Sequence, residues 1–108
     1  MDLDAYQRLA ARTIRPGRPA EQALANWALG LTGEAGEVAE HVKKHLFHGG
    51  SLDRTAVVKE LGDILWYVAA MAGAVGASLD EVGTTNIDKL RRRYPEGFSE
   101  ERSINRVE

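Results

Sequence analysis

The stretch ALANWALGLTGEAGEVAEHVKKHL, residues 23–46, decides how this chain reads. Leu24, Ala28, Leu31, Ala35, Val38, Val42 and Leu46 recur at intervals of four and three, the period of an α-helix with one apolar seam. The same stretch carries glycines at 30, 33 and 36 and carboxylates at 34, 37 and 40. Glycine costs a helix interior about 1 kcal/mol relative to alanine, and like charges one turn apart repel. A helix weakened in this way is expected to hold those residues for a reason other than its own stability.

Outward from this segment the helical period continues. The long helix is expected over about Ala20 to Leu46, stopped by HGGS (48–51), where paired glycines end it and Lys43, Lys44 and the histidines suit the negative end of its dipole. His45 and His48 read as residues of that helix end. A third helix over about Asp53 to Ala74 repeats the seam with Val57, Leu61, Ile64, Val68, Met71 and Val75. Before them, a first helix over Asp2 to Ile14 is broken by RPGRP (15–19). Ser78 with Glu81 has the form of a capping box opening a fourth helix, Leu79 to Arg92 or Arg93, which Pro95 and Gly97 end. Residues from about 94 to 108 are expected to be an irregular tail, being polar and poor in apolar side chains. No stretch alternates with a period of two. The expectation is an all-α, four-helix-bundle-like single domain over residues 1–108, with its core at about 20–98.

Bulk composition narrows the function classes. A chain of 108 residues suits one core, and 44% hydrophobic with 28% charged residues is ordinary for a soluble globular protein. A net charge of −2 gives no general attraction to nucleic acid or anionic lipid, so neither is expected as a partner. No run reaches the length of a membrane span, and the N-terminal residues lack an apolar leader, so a cytoplasmic location is expected. The absence of cysteine excludes disulfides and thiolate metal sites.

The chemistry lies in two acid pairs. Glu34 and Glu37 are three residues apart, as are Glu60 and Asp63, so each pair shares a helix face. Each acid also stands one position before a seam residue: Ala35, Val38, Leu61 and Ile64. If the two helices pack antiparallel, four carboxylates converge at the edge of the interface, where their repulsion calls for protonation or a cation. Oxygen ligands alone suit a hard ion, Mg²⁺ or Mn²⁺, and Mg²⁺ commonly completes its shell with substrate phosphates. The competing reading is a pair of solvated helix faces. Glu40 takes that reading, with Lys43 and Lys44 at ion-pair spacing. A di-iron centre would need Glu-x-x-His, and no histidine stands at that spacing. His41, one turn beyond Glu37, either supports a ligand or faces solvent.

On the fourth helix Asn86 interrupts the stripe of Leu79, Val82 and Leu90, with Lys89 and Arg93 following on the same side. That strip could meet an anion, whereas KLRRR (89–93) alone is also what a helix C-terminus favours. Trp27 lies two turns before Glu34, a position for core packing or for a stacked base.

Taken together, LTGEAGEVAEHVKK and KELGDILWYVAAMA, with 22 residues between Glu37 and Glu60, and NIDKLRRRYPEGF (86–98) resemble the MazG-type all-α nucleoside triphosphate pyrophosphohydrolases, related to dimeric dUTPases and dCTP pyrophosphatases. The likeness spans about Leu24 to Phe98. It implies a homodimer or homotetramer that uses Mg²⁺ to hydrolyse an NTP or dNTP to the monophosphate and pyrophosphate. Glu34, Glu37, Glu60 and Asp63 would be metal ligands and carry the catalysis, with Glu37 or Glu34 as the alternative general base. Asn86, Lys89 and Arg93 would meet phosphate or sugar, and Trp27 the base. A chain with one such unit would depend on an oligomer for what two-unit members supply themselves. The alternative is a non-catalytic helical module that binds nucleotide or a partner. Gly30, Gly33, Gly36 and Gly62 are expected to let helices, metals and phosphates approach closely.

Overall fold

A computed structural model describes residues 1–106. Among them five helices follow in order: α1 (Leu3–Ala11), α2 (Ala20–His48), α3 (Arg54–Ala74), α4 (Leu79–Arg93) and α5 (Glu100–Ile104), with no β-strand. The all-α expectation holds.

Local chemistry sets the ends. Asp2, Asp53 and Ser78 each accept a hydrogen bond from the backbone N–H three residues on, of Ala5, Ala56 and Glu81. Gly49 and Gly50 terminate α2 at φ of 81° and 88°, a region that side-chain-bearing residues rarely enter. Helix α1 ends earlier than expected because residues 12–14 tighten into i→i+3 bonds and the Thr13 hydroxyl turns back to Ala10 O at 2.7 Å. The expected irregular tail is corrected at residues 100–104. Ser99 Oγ accepts from Arg102 N–H at 3.0 Å and starts a one-turn helix that needs a cap rather than a core. Val107 and Glu108 lie outside the described residues.

Helices α2 and α3 form an antiparallel hairpin. Trp27 packs against Trp66 and Tyr67 with ring centroids 5.3 and 6.2 Å apart, and the Tyr67 ring lies directly on the α2 backbone at Gly30. At Gly33, Gly36 and Gly62 an added Cβ would meet no atom of the chain within 4 Å, so close helix approach explains Gly30 alone. The row of α2 facing α3 runs through Trp27, Gly30, Glu34 and His41. It is offset by one position, about 100° around the helix, from the seam read in the sequence. Leu24, Val42 and Leu46 of that seam consequently stay exposed, and on α3 the seam is half-buried at Val57, Ile64, Val68 and Met71 but exposed at Leu61 and Val75.

Helix α1 crosses α3 and is pinned by one side chain. Gln7 Nε2 donates to Ala69 O and Ala77 O at 3.2 and 3.1 Å, and Gln7 Oε1 accepts from Leu79 N–H at 2.9 Å. The bonds to Ala77 and Leu79 satisfy backbone groups at the α3–α4 junction, and the one to Ala69 ties α1 to the body of α3. Ala69, Ala72 and Leu79 form the core there, joined by Tyr6, Leu65, Val68 and Ala77. Helix α4 leaves α3 at 98°, so a closed bundle is not completed within one chain. The radius of gyration is 16.9 Å, against about 13 Å for a compact chain of this length. The accessible surface is 7994 Å², against about 5,900 Å² for a compact monomer of this mass.

Candidate active site

The hairpin brings three of the four predicted acids together. Glu34 from α2 and Glu60 and Asp63 from α3 each offer a carboxylate oxygen, and these oxygens all lie within 4.8 Å of one another. Glu34 and Glu60 are half-buried and Asp63 is exposed, so the group opens to solvent on one side. Glu37, one turn further along α2, is exposed and stands outside the group.

The cost of this convergence falls on Glu34. Partial burial, then a side-chain hydrogen bond with Glu60, then the charges of Asp63, Glu60 and Glu37 raise its pKa above the ordinary 4.5. A carboxyl raised in this way binds its proton more tightly in the folded than in the unfolded chain. Its share of stability is therefore present below the ordinary value and lost as pH rises through the raised one. Metal-free Glu34→Gln should thus gain on wild type as pH rises across that window in thermal melts. Added Mg²⁺ or Mn²⁺ should reverse the order by raising the wild-type midpoint alone.

The donor set fits a hard divalent ion. Three carboxylate oxygens within coordination reach, an open side for water or phosphate, and a repulsion that a cation would relieve are the features Mg²⁺ and Mn²⁺ sites need.

A cavity of about 470 Å³ lies between α1, the 15–19 linker, α2 and α3; none of the acids lines it, and its lining on α3 begins at Trp66, one turn beyond Asp63. Trp27 and Trp66 line it with several alanines, and Arg8, Arg15 and Arg18 add positive charge. Trp66 Nε1 donates to Thr13 Oγ1 at 2.8 Å, which fixes the indole, and the Arg18 guanidinium lies 6.0 Å from the Trp27 ring centroid. Trp27 is buried, and its ring and that of Trp66 pack in a T-shape, 74° apart.

The α4 strip is placed differently. Asn86 is exposed, and Lys89 and Arg93 are half-buried. The stripe that Asn86 interrupts is only shallowly covered, since Val82 and Leu90 remain 39% and 36% exposed. The end of α3 lies about 16 Å from Asp63 at 1.5 Å per residue, and α4 leaves at 98° from there. Within the chain, α4 packs on α1 and α3.

The MazG nucleotide pyrophosphohydrolase domain matches residues 22–98, well over half of the chain. The chain belongs to the MazG nucleotide pyrophosphohydrolase family. This MazG chain is also 36% identical over 114 residues to the Gene 37 protein of Mycobacterium phage L5, an alignment covering 98% of this chain and 100% of the phage protein. No solved structure matches it significantly.

The site of this MazG chain includes groups that spacing did not single out. Burial first, then the charge of Asp63, raises the Tyr6 pKa, which marks the α1 phenol as a neighbour of the acid group. Arg8, Arg15 and Arg18 reach the cavity through long-range packing, beside Trp66, whose place one turn after Asp63 is readable from the sequence. Only the run of arginines around the RPGRP break hinted at them.

Proposed function

We propose that the protein is a Mg²⁺-dependent nucleoside triphosphate pyrophosphohydrolase that converts an NTP or dNTP to the monophosphate and pyrophosphate, in cytoplasmic nucleotide-pool house-cleaning. The observation that carries this reading is the convergence of Glu34, Glu60 and Asp63 in a chain of the MazG family. These three residues would hold Mg²⁺, with Mn²⁺ as a substitute. When bound, the ion supplies neutralisation of phosphate charge and acidifies water. Glu37 would serve from the exposed flank, either as a fourth ligand or as the base that orients the attacking water. Gly33 and Gly36, open beside Glu34, would leave room for phosphate. The base of the nucleotide would enter the cavity lined by Trp27 and Trp66.

Asn86, Lys89 and Arg93 would meet the phosphates or sugar of a nucleotide held by a second copy, because α4 starts beyond the end of α3, about 16 Å from Asp63 at 1.5 Å per residue, and packs on α1 and α3 of its own chain. A homodimer or homotetramer is supported by the surface. The excess over a compact monomer is about 2,000 Å², the scale of a stable interface, and the uncovered seam residues Leu24, Val42 and Leu46 lie along one row of α2. Analytical ultracentrifugation should find dimers or tetramers, and Val42→Asp with Leu46→Asp should shift them to monomers with much reduced activity. A wild type that sediments as an active monomer would remove the role given to α4.

The reaction itself is tested by incubating the protein with the common NTPs, dNTPs and dUTP with and without Mg²⁺. Release of pyrophosphate from at least one of them supports the assignment, and release from none overturns it.

A further inference from the structure

Glu60 has a neighbour across the hairpin that is not an acid. His41 Nε2 on α2 lies 3.6 Å from Glu60 Oε1 on α3, and the two side chains are only 28% and 21% exposed. His41 stands on the row of α2 that carries Glu34, two turns further along. The next histidine, His45, is engaged elsewhere: its Nδ1–H donates to Gly50 O at 2.7 Å and helps close the end of α2. His41 is therefore the histidine turned to the acids. The atoms that lie within 4.8 Å of one another come from Glu34, Glu60 and Asp63, which leaves His41 touching one ligand rather than the shared centre.

We infer that His41 is a positioning residue: its Nε2–H is directed at Glu60 Oε1 and holds that carboxylate in the rotamer that faces Glu34 and Asp63. The inference rests on the metal reading of those three acids. Its physical basis is the repulsion inside the group. Glu60 is a flexible side chain beside two other carboxylates, and in the metal-free protein that repulsion favours rotamers that swing it into solvent. A donor fixed on the opposite helix counters this, so that an arriving cation meets an assembled set. Partners of this kind typically change metal affinity 10–100-fold when removed.

The test is Mn²⁺ titration of the full chain by electron paramagnetic resonance, with wild type, His41→Ala and His41→Gln compared. His41→Ala should weaken Mn²⁺ binding by about 10–100-fold, and His41→Gln, which restores an N–H donor, should recover most of it. The Mg²⁺ concentration for half-maximal pyrophosphate release should rise in parallel, while KM for nucleotide at saturating Mg²⁺ stays near wild type. Should His41→Ala fail to fold by circular dichroism, His41→Leu fills the volume without a donor and is read in the same way. Mn²⁺ affinity within twofold of wild type in the donor-free variant overturns the inference while leaving the metal site standing. A nitrogen coupling from imidazole on bound Mn²⁺ overturns it too, by making His41 a ligand. A wild type that binds no Mn²⁺ removes the metal reading and the inference together.

Discussion

Glu60→Gln is expected to lower Mg²⁺-dependent pyrophosphate release by on the order of 10²–10³-fold or more, the loss that follows removal of a strong electrostatic group from a preorganised site. Glutamine keeps the size of the side chain and one acceptor oxygen, so the helices stay packed while the charge that would hold a cation is gone. The metal-free variant should melt no lower than wild type, because one of three crowded carboxylates has been neutralised. Glu37→Gln should lose turnover as completely, though Glu37 stands outside the converged group. Its Mn²⁺ affinity then separates the two roles open to it. A ligand leaves with weakened binding, whereas a base leaves binding intact and kcat reduced. Near-normal Mg²⁺-dependent turnover in Glu37→Gln would sink the assignment.

Gly30→Val should destabilise the fold by about 3 kcal/mol, at the upper end of overpacking costs. A Cβ at position 30 would overlap ring carbons of Tyr67. That ring cannot turn aside freely, since Trp66 stands 5.0 Å and Trp27 6.2 Å from it, centroid to centroid. The helices must therefore separate. Gly30 lies one turn from Glu34 and Tyr67 one turn from Asp63, so the same separation should loosen the acid group and weaken Mn²⁺ binding. Urea denaturation of Gly30→Val, Tyr67→Ala and the double variant gives the coupling directly. The double variant should be more stable than the sum of the single losses predicts. Strict additivity would mean the contact does not govern the helix spacing.

The helical class and most helix ends were legible because they are local: Asp53, Ser78 and the glycines at 49, 50 and 76 act within one turn of where they stand. The seam was legible in period but not in direction. Adjacent rows of α2 share the same spacing, and only the pairing of Trp27 and Gly30 with Trp66 and Tyr67 selects which row meets α3. The acids were legible as two pairs. That Glu34 joins Glu60 and Asp63 while Glu37 stays outside follows from the three-residue step, which turns successive acids about 60° apart on the helix. Gln7, Tyr6 and the cavity arginines could not be found this way, because their partners lie far along the chain. The direction of α4 was hidden for a related reason. The residues at 75–78 announce a turn but do not fix the 98° at which it is made.

The most direct test of the central claim is the product distribution from a hydrolysed nucleoside triphosphate with Mg²⁺, read by ³¹P nuclear magnetic resonance. Nucleoside monophosphate and pyrophosphate in equal amounts, lost on chelation and in Glu60→Gln, is the result expected. Nucleoside diphosphate with inorganic phosphate, or turnover that survives chelation, would contradict the account.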